Sequence, residues 1–293
     1  MKAFYLFLIV SICIGCQAQQ LNKIQYQKSD NSLLWEISGN HLSQPSYLFG
    51  TFHLMCKEDI RFSENLKKCL TNSQSLFLEL DLDDPQNTLG ALALMNMKNG
   101  QSLKDLYNAE DYKRLERFFL DSLQMPLTML QQMKPVFLTS LLYPKMMACN
   151  TVDGVEQELM GLAKKEKKEI KGLETMAFQS AIFDQIPYTT QAKELLNSID
   201  SINEYKQKFI EIQSIYTSQD LKKMELRFTD EPGFEEDKAA MLDNRNLDWI
   251  QKLEKILKEE NVFIAVGAGH LVGKKGLIAL LKAKGYTVKP VKN

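Results

Sequence analysis

The sequence predicts a mixed α/β (α+β) fold: a central, mostly parallel sheet built from the N- and C-terminal segments, with a large helical insertion between them. Three observations carry this reading. Two strand-like runs near opposite ends, Tyr47–His53 and Val262–His270, each finish in G-x-x-H. A third run, Ser75–Leu82 (SLFLELDL), alternates Leu76, Leu78, Leu80 and Leu82 against Phe77, Glu79 and Asp81. From Gln86 to Phe228 helical periodicity takes over and glycine becomes sparse. Helices lying between strands on this scale indicate parallel pairing.

The chain opens with an export signal, residues 1–18. Lys2 supplies the positive n-region and Ala3–Ile14 the short apolar h-region. Two cleavage readings remain open. Gly15-Cys16 looks like a lipobox with Cys16 as the lipidated N-terminus, although Cys13 stands where such boxes usually carry Leu. Cys16-Gln17-Ala18 instead approximates a small-x-small site for ordinary secretion. No later run is long and apolar enough to cross a bilayer. The mature protein is therefore expected outside the cytoplasm, soluble or tethered through Cys16, with residues 22–293 as one domain and its insertion at about 86–228. The formal net charge is −1, and no basic stripe suggests nucleic acid. Oligomeric state is not legible.

Ser32–Ile37 and Ser46–His53 read as neighbouring strands, with Gly39-Asn40 and Pro45 as turn residues between them and His41 exposed in the turn. Phe62–Ser73 has helical spacing, with Leu66, Cys69 and Leu70 on one side. Asn108 caps a helix with acids in its first turn. The methionines of Met125–Met147 mix with Leu, Phe and Tyr and read as core filler. Thr151–Glu156 starts another helix running to about Lys167. Lys168–Leu173 is a short strand, after which Glu174 either pairs with a lysine or closes the sheet. Ala239–Glu259 is a long amphipathic helix carrying Arg245, Asn246 and Trp249. Strand Val262–Val266, a helix Lys274–Lys284 started by Gly273, Gly285 as its cap and strand Tyr286–Val291 end the chain.

After the signal, Cys56, Cys69 and Cys149 remain. Cys69 falls on an apolar helix face, which makes Cys56–Cys149 the preferred pair in an oxidising compartment; three free thiols is the alternative.

Two of only three histidines follow Gly by three residues after strand-like runs. At average glycine usage a given histidine meets that condition about 7% of the time, so coincidence is a poor account. Ligands gather beyond the carboxyl ends of strands in open α/β sheets, and Gly50 and Gly267 would let the chain approach one closely. The competing reading is two packed histidines. Glu79, a carboxylate in a strand with apolar neighbours, needs a metal or an arginine as partner unless the strand lies at an edge facing water. His53, Glu79 and His270 together make a two-histidine, one-carboxylate set, as in catalytic zinc and non-haem iron sites with an open position. Such a cation acidifies water, which can attack an amide or ester.

These motifs are similar to those of a known family. Leu34-Trp35-Glu36-Ile37-Ser38, Leu48–Leu54 around His53, Glu79 in LELD, Gly172–Thr175, Arg245-Asn246 and the C-terminal AVGAGHLVGKKGLIALLKAKGYTVKPV together resemble the TraB/GumN family, relatives of the Tiki proteins. The resemblance covers nearly all of the mature chain. It implies a metal-dependent peptidase using Mn, Co or Zn, acting on a peptide or protein, with His53, Glu79 and His270 on the metal. It implies that Arg245 and Asn246 orient Glu79 or stabilise an oxyanion, and that Glu156 is a supporting acid or general base. Helix-surface positions are the alternative for Arg245 and Asn246, and a plain first-turn acid for Glu156. Function is uneven across the family, so a non-catalytic protein sequestering a peptide or metal in the same pocket stands as the other reading, with an iron- or haem-handling lipoprotein a weaker third.

Overall fold

A computed structural model describes residues 26–84, 90, 93–147, 149, 151–229 and 238–293. The export-signal reading of residues 1–18 and the predicted start of the insertion at residue 86 lie outside them.

Strands β1 (Leu34–Ser38) and β2 (Ser46–Thr51) form the expected antiparallel hairpin, with Leu34 opposite Phe49. Gly39, Asn40 and His41 all take positive φ in its turn, and His41 is exposed. Strand β3 (Met55–Cys56) leaves the sheet and pairs with β5 (Val152–Asp153). The main sheet continues with β4 (Ser75–Leu80), β6 (Glu169–Glu174), β7 (Val262–Gly267) and β8 (Thr287–Pro290), in the order β6-β4-β7-β2-β1-β8.

The pairings β2–β7, β4–β7 and β4–β6 are parallel; β8 runs antiparallel to β1. Strand β7 lies in the middle and is apolar on both faces: Val262 to Val266 are wholly buried, as expected of a central strand covered on both sides. Beside it, Thr51 of β2 is level with Gly267 of β7. The two G-x-x-H motifs, separated by most of the chain, therefore leave adjacent parallel strands side by side.

Helix α1 (Glu64–Asn72) is capped by Ser63, whose hydroxyl accepts from the Leu66 amide, and it buries Leu66, Cys69 and Leu70. Removing such a cap costs about 1 kcal/mol. The middle of the chain forms α2 (Leu103–Leu106), α3 (Ala109–Leu123), α4 (Pro135–Ser140) and α5 (Tyr143–Met146). After β5 come α6 (Val155–Lys165) and, past β6, α7 (Met176–Phe183), α8 (Tyr188–Asp200), α9 (Ile202–Thr217) and α10 (Leu221–Thr229). Asn108 caps α3 as expected, accepting from the amides of Glu110 and Asp111.

The helical segment has its own core around Leu103, Leu115, Phe119, Leu138 and Leu195, separate from the core on the sheet. Met146 belongs to it, but Met129 is 80% exposed, so core filling does not account for every methionine of that stretch. The chain also returns to the sheet within the segment, because β6 is an edge strand beside β4.

The predicted helix from about Ala239 to Glu259 is helical throughout, but opens with a π-helical turn, Ala239–Asp243, before the α-helix α11 (Asn244–Glu259). Helix α12 (Leu277–Ala283) starts after Gly276 rather than Gly273. A Cβ on Gly276 would come 2.4 Å from the carbonyl oxygens of Leu271 and Val272, so the loop beyond His270 folds back tightly before the helix can start. Gly285 ends α12 at φ +87°. Cys56 and Cys149 form a disulfide, and Cys69 is a buried free thiol.

Candidate metal centre

The site lies beyond the carboxyl ends of β2, β4 and β7. Glu79 of β4 is 7% exposed in the strand next to β7, not at an edge. The ladder between β4 and β7 ends at Phe77–Ile264. Beyond that point the side chain takes over: Oε1 accepts from the Gly267 amide at 2.8 Å. Its other oxygen, Oε2, accepts from Arg245 Nη2 and, at 3.4 Å, from Gln179 Nε2. Desolvation alone would raise the Glu79 pKa. The positive charges of His53 and Arg245 and the Gly267 hydrogen bond overcome it and hold the carboxylate well below its ordinary range.

The two histidines approach the same carboxylate oxygen. His270 Nε2 is 3.7 Å from Glu79 Oε1, and His53 Nε2 is 4.0 Å from it. His270 is buried in a 3-10 turn, Ala268–His270, and its ring packs on Trp249 with centroids 4.4 Å apart. Its Nδ1 lies 2.7 Å from Asn246 Oδ1. The Asn246 amide nitrogen donates to the carbonyls of His270 and Lys275, which fixes Oδ1 as the atom facing the ring. Nδ1 therefore carries the proton and Nε2 the lone pair, a tautomer set by a neighbour's hydrogen bond. Burial holds this imidazole neutral, with a pKa near 3 despite the nearby Glu79.

His53 differs: its ring is 69% exposed. Its Nδ1 is 2.7 Å from Glu156 Oε1, which also accepts from Thr51 Oγ1 at 2.5 Å. Desolvation acts to lower the His53 pKa. The hydrogen bond and charge of Glu156, with Glu79 adding to them, outweigh it and raise the pKa to about 9. Glu156 sits in the first turn of α6 and is nevertheless buried, so its place there positions it against His53.

Arg245 and Asn246 are buried as well, so the helix-surface reading of that pair does not hold. Arg245 stacks on Trp249 and spends every donor. Nε and Nη2 bond Glu174 at 3.2 and 2.7 Å, Nη2 also bonds Glu79, and Nη1 bonds the Met241 carbonyl at 2.9 Å and His270 Nε2 at 3.1 Å. Met241 lies in the π-helical turn, where hydrogen bonding runs i to i+5. Glu174 ends β6 and pairs with Arg245 and the Trp249 indole, at 3.0 Å, rather than with a lysine. Burial raises its pKa, opposed by Arg245.

Of the two glycines, only Gly267 borders the site. A Cβ there would come 3.2 Å from Glu79 Oε1 and 3.4 Å from His53 Nε2. Gly50 serves packing instead: a Cβ on it would meet Ala268 and Leu271 at about 3.1 and 3.0 Å, beneath the turn carrying His270. Thr51 and Gln179 also touch the site's acids, Glu156 and Glu79, without belonging to the ligand set that the sequence predicts. Thr51 stands inside the first G-x-x-H; nothing in the sequence distinguishes Gln179.

The donor set suits a divalent cation. Glu79, Glu156 and Glu174 outnumber the single guanidinium, so the cluster favours added positive charge, and the raised His53 pKa expresses the same demand. Gly267 leaves the space between two donors clear. The three donor atoms do not all fall within 4.8 Å of one another, so an ion holding all of them needs the imidazoles to draw together over Glu79. The exposed His53 is the ring with room to move. Among the described residues a tighter trio of ligand atoms occurs at Cys56, Glu58 and Cys149, but the disulfide commits both sulfurs.

The TraB/PrgY/gumN family model matches residues 33–290. The relative named Metalloprotease TIKI2 of Danio rerio is 35% identical over 100 residues, covering 34% of this chain and 19% of that protein. Metalloprotease TIKI1 of Homo sapiens is 30% identical over 135 residues, covering 42% and 26%. Metalloprotease TIKI1 of Danio rerio is 25% identical over 324 aligned positions, covering 89% and 63%. The chain thus spans about a fifth of the TIKI2 relative's length and less than two thirds of the longest of these matches. No solved structure matches the chain.

Proposed function

The chain belongs to the TraB/PrgY/gumN family, and from that premise we propose that it is a metal-dependent hydrolase of peptide bonds, secreted or anchored by lipid at Cys16. The observation that carries the reading is the convergence of His53 Nε2 and His270 Nε2 on one oxygen of Glu79, at 4.0 and 3.7 Å. His53, Glu79 and His270 would hold a divalent transition metal of the Mn, Co or Zn kind. When bound, that cation would supply Lewis acidity toward a peptide carbonyl and toward the attacking water.

The protein's own groups supply orientation and proton traffic. Glu156 fixes His53 through Nδ1, and Asn246 fixes His270 through Nδ1, so both rings turn Nε2 inward. Arg245 and the Gly267 amide each hold one oxygen of Glu79, which keeps it ionised and aimed. Glu156 is the acid placed to exchange a proton with His53. The carboxyl-end position of the site on parallel strands is where substrates reach such sheets.

The test is elemental analysis of the purified protein together with a peptide-library digest. Wild type should carry about one transition metal per chain and cleave peptides. His53→Ala should lose the metal, and Glu79→Gln should lose cleavage while the fold persists. Tight peptide binding without turnover would identify a sequestering protein instead, and a metal-free wild type without cleavage would end the proposal. Export and anchoring rest on residues 1–18; Cys16→Ser should release the protein from the membrane fraction, and unchanged fractionation would refute the lipid anchor.

A further inference from the structure

The His270 ring has two nitrogens and both are committed. Nδ1 donates to Asn246, so Nε2 has a single lone pair, and that lone pair accepts Arg245 Nη1 at 3.1 Å. An imidazole nitrogen cannot accept a hydrogen bond and ligate a cation with the same electron pair. Arg245 and any cation on His270 are therefore mutually exclusive at that atom.

The rest of the guanidinium is not in competition. Nε and Nη2 are held by Glu174, Nη2 by Glu79 Oε2, the second Nη1 hydrogen by the Met241 carbonyl, and the plane by Trp249. Only one of its five N–H groups has to be given up. Glu174 and Trp249 also keep Arg245 from leaving, so its charge stays beside the cation it admits.

We propose that Arg245 is a built-in cationic competitor for the metal ligand His270: it occupies the Nε2 lone pair, neutralises Glu79 and Glu174, and yields that one contact when a divalent metal enters. This rests on the metal reading above and deepens it. It assigns Arg245 a positioning and gating role toward the metal, not contact with substrate. The consequence is that Arg245 lowers metal affinity and stabilises the metal-free fold, whereas an arginine that only orients Glu79 would raise affinity.

The decisive comparison is wild type against Arg245→Gln/Glu174→Gln, a double variant that removes the guanidinium and its main counter-charge together. Both are stripped with chelator, and zinc affinity is measured by chelator competition, with thermal melts before and after saturation. The double variant leaves the net charge of the cluster unchanged, so it should bind zinc on the order of tenfold more tightly because the His270 Nε2 lone pair no longer has a hydrogen bond to give up. Its metal-free melting temperature should fall, and zinc should raise it by more than it raises wild type. Weaker or equal zinc binding by the double variant overturns the proposal.

Should that variant fail to fold, nitrogen NMR on wild type gives an independent reading. The coupling across the Arg245 Nη1–His270 Nε2 hydrogen bond should vanish at saturating zinc, while the Arg245 Nε–H signal held by Glu174 persists. A coupling that survives saturation also overturns it. Failure of wild type to bind zinc, manganese or cobalt at all would sink the metal reading itself, which separates the two outcomes.

Discussion

Removing the Cys56–Cys149 disulfide tests whether the covalent tie between the two halves of the site is worth what its topology implies. The bridge joins residues 93 apart in sequence. In the chain-entropy account a loop of that size contributes about 4.7 kcal/mol by restricting the unfolded chain. That figure is a ceiling, because the closed loop contains most of the second core, Leu195 excepted, and residual order there shortens the effective loop. A loss of about 3–4 kcal/mol is expected for Cys56→Ala/Cys149→Ala, read from the midpoint and slope of urea unfolding. The slope should also rise, because the uncrosslinked unfolded chain exposes more surface.

The site should register the same change. Cys56 pairs with Val152 in the short β3–β5 ladder, just after His53 and just before Glu156. Without the bridge, only the four-residue ladder and non-covalent contacts such as Lys57–Asp153 and His53–Glu156 hold that junction, so metal affinity should fall together with stability. A stability change below about 1 kcal/mol, with unaltered metal binding, would refute this account.

Three further predictions follow from the site. Gly267→Ala places a methyl 3.2 Å from Glu79 Oε1 and 3.4 Å from His53 Nε2; metal affinity in a chelator competition should drop at least about tenfold for a stability cost of about 1–3 kcal/mol, and unchanged affinity would show that the space is not used. Glu174→Ala leaves Arg245 short of a counter-charge and the Trp249 N–H without its acceptor, so urea unfolding should show a loss of about 3–5 kcal/mol; a loss under 1 kcal/mol would deny the pair that role. The His53 pKa is raised above its unfolded value, to about 9, so its stabilising contribution is fully present below about 6.5 and is lost as pH rises through about 9. Metal uptake near pH 7.5 must then displace that proton: calorimetry in buffers of different ionisation enthalpy should report about one proton released, and Glu156→Gln should reduce that number.

Turn residues made β1 and β2 legible, alternation β4, and an unbroken aromatic and branched run β7, because strand register and burial act on neighbouring residues. The same local logic marked Glu79 as a buried carboxylate in need of a partner, and two G-x-x-H motifs as a pair. It did less well where geometry depends on distant chain. The start of α12 shifted from Gly273 to Gly276 because the loop folds back onto the carbonyls of Leu271 and Val272. Glu174 found Arg245 rather than a lysine because β6 and α11 meet only in the folded protein. Gly50 looked like a ligand-approach glycine and proved to be a packing one, since what lies above its Cα is Ala268, more than 200 residues later.

The chain's own order of residues determined which side chains stand at strand ends: His53, Glu79 and His270 follow from periodicity and glycine placement, both short-range properties of the backbone. Which of them share a carboxylate oxygen, which tautomer His270 adopts, and that Arg245 occupies its lone pair were decided by the tertiary structure alone. Hydrogen-bond direction and charge balance in a buried cluster depend on groups brought within about 4 Å from β2, β4, β6, β7 and α11, and no local pattern encodes that meeting.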